Sequence, residues 1–145
     1  MAVHFYSPEL TLRLKRRILL KRFLQQLFLA EGKKLESLDY IFCSDEFLYT
    51  LNRDFLKHST YTDILTFDIS GTSMKIRGEI YISLERVKDN GLKFGSGFEN
   101  ELHRVIFHGA LHLCGYQDKL PGSIQLMRSK EDYYLNKYFA ASSTK

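Results

Sequence analysis

Apolar residues at spacings of three and four mark the first long element of the chain. Leu20, Leu24, Leu27 and Phe28 make one stripe of a helix. Ser7 as cap, Pro8 at the first helical position and Glu9 in the first turn predict that this helix starts at Pro8. Glu31-Gly32 supplies a stop after Ala30. Before it, "AVHFY" reads as a short strand. After it, "LDYIFCS" is rich in aromatic and branched residues and reads as a second. "DEFLYTLNRDF" follows as a helix capped by Ser44 or Asp45. In "DILTFDIS" Leu65, Phe67 and Ile69 share one face, and in "MKIRGEIYIS" Ile76, Ile80 and Ile82 do. Gly71-Thr72-Ser73 between these two runs predicts a hairpin. Three further helices are predicted over Leu84 to Phe94, Phe98 to Cys114 and Ser123 to Phe139. The fold class is α/β, a mixed sheet of about four strands covered by about five helices. The domain is expected to span 1–139, with 140–145 a frayed tail.

The bulk properties narrow the class. A chain of 145 residues suits one domain with a sizeable core, and 44% hydrophobic with 26% charged residues is ordinary for a soluble globular protein. No apolar run reaches the roughly 18 residues of a membrane span, and "MAVHFYSPEL" does not resemble a signal peptide. Cys43 and Cys114 lie among apolar residues, which predicts free thiols and a reducing, cytoplasmic setting. The net charge of +4 is unevenly spread. Arg13, Lys15, Arg16, Arg17, Lys21 and Arg22 stand together with no acid among them. Such a cluster is either a solvated helix face or a footprint for a phosphate backbone.

The chemistry concentrates in "HGALHLCGYQDK", His108 to Lys119. Residues four apart on a helix carry Cβ atoms about 5–6 Å apart, so His108 and His112 can grip one ion. Gly115 can end the helix, and the turn through Tyr116 and Gln117 can bring Asp118 back toward the imidazoles. The spacing H-x-x-x-H-x-x-G-x-x-D is that of the metzincin zinc frame with aspartate for the third histidine. H-x-x-x-H alone is a weak signal; the glycine and the third donor at this interval make it a specific one. Three ligands from a helix-turn unit leave a fourth position for water, as at catalytic zinc, while the donor set also admits other divalent ions. Gly109 occupies the position of the metzincin base, which disfavours a peptidase of that design. Hydrolysis remains open to a metal that itself activates water. Cys114, on the other side of the helix, reads as core.

With these residues in place, the chain resembles the YbeY family of single-strand-specific, metal-dependent endoribonucleases, the rRNA maturation factors of bacteria. "HGALHLCGYQD" matches the family pattern H-G-x-L-H-L-x-G-Y-x-H except at Asp118. "LNRDF" and "TDILTF" match L-N-x-x-[YF]-R and T-[DN]-[VI]-L-[ST]-F, and Gly78-Glu79-Ile80 matches G-[DE]-I. The resemblance implies a small mixed sheet with a metal at one end of a cleft, and processing of 16S rRNA at its 3′ end with a part in ribosome quality control. It implies single-stranded RNA, rRNA and the small subunit as partners, and His108, His112 and Asp118 as ligands of one zinc or other divalent ion.

The arginine of the first motif falls on Leu56, with Lys57 and His58 next to it and Arg53 further off. His58, Lys57 and Asp63 are the candidates for catalytic help, although Thr62-Asp63 also reads as a turn pair. Glu79 either faces solvent or orients a ligand. Lys75, Arg77, Arg86, Lys88 and Lys93 are candidate RNA contacts, and Tyr61 and Phe67 either stack a base or pack the core. Two other readings compete: a small metalloprotease, and a non-catalytic ribosome-assembly factor with a structural metal.

Overall fold

The computed structural model describes residues 2–8, 12–56, 61–72 and 74–143. Its strands are β1 (Val3–Tyr6), β2 (Leu35–Cys43), β3 (Ile64–Asp68) and β4 (Ile76–Ser83). Its helices are α1 (Arg17–Ala30), α2 (Asp45–Leu56), α3 (Leu84–Lys93), α4 (Phe98–Leu113) and α5 (Pro121–Ser143). The four strands form one mixed sheet in the order β1-β2-β4-β3. β1 and β4 lie parallel to β2, and β3 lies antiparallel to β4 with Thr66 opposite Ile80. The α/β class, the mixed sheet and the β3–β4 pairing are those expected.

Alternation along the strands assigns the two faces. Leu38, Tyr40 and Phe42 of β2, with Ile76, Ile80 and Ile82 of β4, enter the main core beneath α1, α4 and α5. On the opposite face Leu65 packs with Cys43 and Leu48, joined by Phe67 and Tyr81, under α2. Two glycines set how closely α4 approaches. A Cβ on Gly109 would sit 2.8 Å from Ile80 Cδ1 and 3.0 Å from Ile64 Cδ1. A Cβ on Gly78 would sit 2.5 Å from Leu113 Cδ1. The buried Tyr40 hydroxyl donates to the Ile106 carbonyl of α4 at 2.7 Å and pins the same helix.

Two boundaries differ from expectation. Helix α1 begins at Arg17, not Pro8; Pro8 lies at a bend, and Glu9 falls outside the described residues. Ser and Pro serve turns as readily as caps. Leu12 and Leu14 point inward while Arg13 and Lys15 point out, a period of two that an extended segment satisfies and a helix cannot. Arg16 then adopts a left-handed conformation, φ 52° and ψ 50°, at the helix entry. At the other end, residues 140–143, expected as a frayed tail, are helical. Alanine favours helix, and the Ser142 and Ser143 hydroxyls donate to the carbonyls three residues back.

Candidate metal centre

Burial of Val105, Ile106, Phe107, Ala110 and Leu111 anchors one side of α4 in the core and turns His108 and His112 outward to a cleft. The helix ends at Cys114. Gly115, at φ 108°, bends the chain, while the Gly115 and Tyr116 amides donate to the His112 and Leu111 carbonyls. The reversal returns Asp118 to the imidazoles. Its Oδ2 lies 3.1 Å from His108 Nε2 and 3.1 Å from His112 Nε2.

The second ring nitrogens decide what this cluster is suited to hold. His112 Nδ1 is 2.9 Å from the Tyr116 carbonyl, which can only accept, so Nδ1 carries the proton and Nε2 of the neutral ring a lone pair. His108 Nδ1 donates to Glu131 Oε2 at 2.5 Å. With both rings neutral, two imidazole lone pairs and a carboxylate oxygen face one another, an arrangement that calls for a cation. A tetrahedral ion with bonds of about 2.0–2.1 Å separates its donors by roughly 3.3 Å, close to the spacing present. Among the described residues this is the one group of ligating side chains so arranged.

Glu131 has only a faint sequence signal. It is the lone charge on the buried stripe of α5, with Met127, Tyr134, Leu135 and Tyr138. Arg104 holds its other oxygen at 2.8 Å and reaches Asp132 at 2.6 Å. Histidine ligands are characteristically oriented in this way, by a carboxylate or carbonyl on the far nitrogen. The carbonyl that orients His112 belongs to Tyr116, whose hydroxyl donates to Glu31 at 2.7 Å. Glu31 also accepts from Tyr134 and, at 3.4 Å, from Lys130. The end of α1, the metal turn and α5 are thus tied together. Burial works to raise the Glu31 pKa, but these donors outweigh it and the pKa is lowered.

The triad opens into a cleft of about 960 Å³ bounded by α2, β3, α4 and α5. Asp63 and Thr62 line it beside His108. Burial pushes the Asp63 carboxyl pKa up, against the charge of His108. Burial works to lower the His108 pKa, but Glu131, Asp118 and Asp63 together raise it.

The profile of the family described as Endoribonuclease YbeY matches residues 9–139. The chain belongs to the YbeY endoribonuclease family. It is 45% identical over 134 residues to Endoribonuclease YbeY of Cytophaga hutchinsonii, covering 92% of this chain and 94% of that one. It is 39% identical over 132 residues to that of Parabacteroides distasonis, covering 91% and 92%. Among solved structures, TM1509 from Thermotoga maritima superposes with a TM-score of 0.65 at 26% identity, over 98% of this chain and 92% of the other.

Seen as a YbeY-family member, the chain uses its motif residues unequally. Gly109, at the position of the metzincin base, faces the sheet, so a glutamate there would enter the core and not the cleft. Leu56 lines the cleft, while Lys57 and His58 lie outside the described residues. Glu79 does not orient a ligand. It accepts from Tyr81 at 3.2 Å on the α2 face of the sheet, away from α4. Phe67 packs edge-on against Tyr81 in that second cluster, whereas Tyr61 is half exposed at the cleft and stacks on Tyr49. Phe94, 65% exposed, lines the same cleft and had no motif to announce it. Arg77 pairs with Glu36 at 3.6 Å and Arg86 with Asp45 at 2.7 Å; Lys75, Lys88 and Lys93 are exposed. Cys43 and Cys114 are buried and form no disulfide. No helix among the described residues is long and apolar enough to cross a membrane.

Proposed function

We propose that this chain cuts single-stranded RNA internally with a zinc ion held by His108, His112 and Asp118. Its substrate in this reading is precursor ribosomal RNA, at the 3′ end of 16S rRNA on the small subunit, in the cytoplasm. The observation that carries the proposal is the convergence of three acceptor atoms at the head of a cleft, in a chain of an endoribonuclease family. Two buried cysteines that form no disulfide suit the reducing compartment.

A divalent ion in that place supplies Lewis-acid charge to the phosphate and lowers the pKa of water. The chain's own residues do the rest. Glu131 and the Tyr116 carbonyl hold both imidazoles in the tautomer that presents Nε2. Asp63, whose raised pKa brings it nearer neutrality, takes the proton from the attacking oxygen, either water or the ribose 2′-hydroxyl. Lys57 and His58 enter on their sequence position, just ahead of Tyr61–Asp63, as cation and proton carrier for the phosphate. Tyr61 and Phe94 offer exposed rings to unpaired bases.

The test is a graded series of metal content, metal affinity and RNA cleavage. His112→Ala should lose both metal and cleavage. Glu131→Gln should fold normally and weaken metal binding about 10- to 100-fold. Equal cleavage by wild type and His112→Ala, after metal loss, would reduce the ion to a structural clamp and end the proposal.

A further inference from the structure

The cleft is acidic for a site that must admit a polyanion. Asp63, Asp68, Glu101, Asp118 and Glu131 line it, and among the described residues only Arg104, Lys119 and Arg128 oppose them. Their charges are not equally available. Arg104 is committed to Glu131 and Asp132 at 2.8 and 2.6 Å, with its side chain 19% exposed. Lys119 is a flexible point charge beside the ligand Asp118. Arg128 makes no ion pair or hydrogen bond with the described residues and is exposed.

Its position on α5 is fixed by the same turn that serves the metal centre. Glu131, three residues on, holds the ligand His108, and Ile124, four residues before, lines the same cleft. Residues three and four apart share a helix face, so α5 presents Arg128 one turn from the residue that orients the metal ligand. We propose that Arg128 is a phosphate-binding residue of this cleft, gripping the RNA backbone beside the metal centre. A guanidinium is the side chain matched to this task, since its fork offers two parallel N–H donors to phosphate oxygens. The charge of Arg128 also reaches across the cleft. Burial and Asp63 push the Glu101 pKa up, while Arg104 and Arg128 act against them.

The inference rests on the endoribonuclease reading, and the experiment separates the two. The metal-loaded protein is assayed on an unstructured oligouridylate for kcat, KM and the salt dependence of binding. Arg128→Gln should raise KM about tenfold with metal content unchanged, and should reduce the log Kd against log salt slope by about 0.7, the value for one phosphate contact on a single strand. Arg128→Lys should restore the salt slope and part of KM. An Arg128→Gln protein with unaltered KM and slope overturns the proposal, as does a larger loss in Lys119→Gln than in Arg128→Gln. If His112→Ala abolishes cleavage while Arg128→Gln is silent, this inference alone fails. If neither variant matters, the endoribonuclease reading fails with it.

Discussion

His103 and His108 lie on the same helix and show how surroundings divide two identical side chains. His103 donates from Nδ1 to the Glu99 carbonyl at 2.7 Å, stacks on Tyr138 and packs against Phe107 and Phe139. Its Nε2 is buried with no hydrogen-bond partner among the described residues. Burial lowers the His103 pKa from 6.5, partly countered by the Glu99 carbonyl and carboxylate. In this surrounding a neutral ring is favoured. The unfolded chain therefore takes up the proton first, so the stability from neutral His103 is full above pH 6.5 and is lost as pH falls from there toward the folded value. His103→Phe should flatten that loss. Urea midpoints of both proteins from about pH 8 to about pH 5 measure it; parallel curves would show that His103 carries none of the dependence.

The register of α4 explains why a motif helix begins its second position with glycine. His108 and His112 can face the cleft only if the residues between them face the sheet, and at 109 the Ile80 and Ile64 side chains leave no room for a Cβ. Gly109→Ala gains at most about 1 kcal/mol of helix propensity. It incurs about 1–3 kcal/mol of overpacking. With the full propensity gain, the expected net loss is about 0–2 kcal/mol in denaturant unfolding, with metal affinity reduced as α4 is levered off the sheet. A net gain in stability would mean that the sheet yields more easily than its close packing indicates. The same element scale exposes the misplaced helix start. Ser7-Pro8-Glu9 has the chemistry of a cap, but the alternation of inward Leu12 and Leu14 with outward Arg13 and Lys15 keeps this stretch out of a helix, and α1 begins only after the turn at Lys15-Arg16.

Across the whole molecule, the acidic cleft stands against a strongly basic entry to α1. Arg13, Lys15, Arg16, Arg17 and Arg22 are exposed and make no ion pair among the described residues. A polyanion drawn to such a surface pays for it in salt dependence. Arg16→Glu with Arg17→Glu should weaken RNA binding and flatten its salt slope by more than the single contact assigned to Arg128, while kcat on bound RNA stays near wild type. Binding isotherms at several salt concentrations check this, and an unchanged slope would make the α1 face a solvated exterior only.

Periodicity and spacing were enough for the α/β class, the β3–β4 pair and the clustering of His108, His112 and Asp118, because each depends on residues close in the chain. Two histidines on adjacent helical turns and a glycine-bent return carry their geometry in their numbering. What lies far apart had to await folding. Glu131 comes 23 residues after His108, and Glu31 85 residues before Tyr116. Little local distinguishes them from other acids, and only the packing of α1, α4 and α5 against one sheet brings them to the His108–His112–Asp118 cluster and its supporting turn. Tertiary structure likewise decided that Glu79 serves Tyr81 and that Arg104 is neutralised while Arg128 is not. A side chain's type is written in the chain; whether its charge is spent is settled by its neighbours in space.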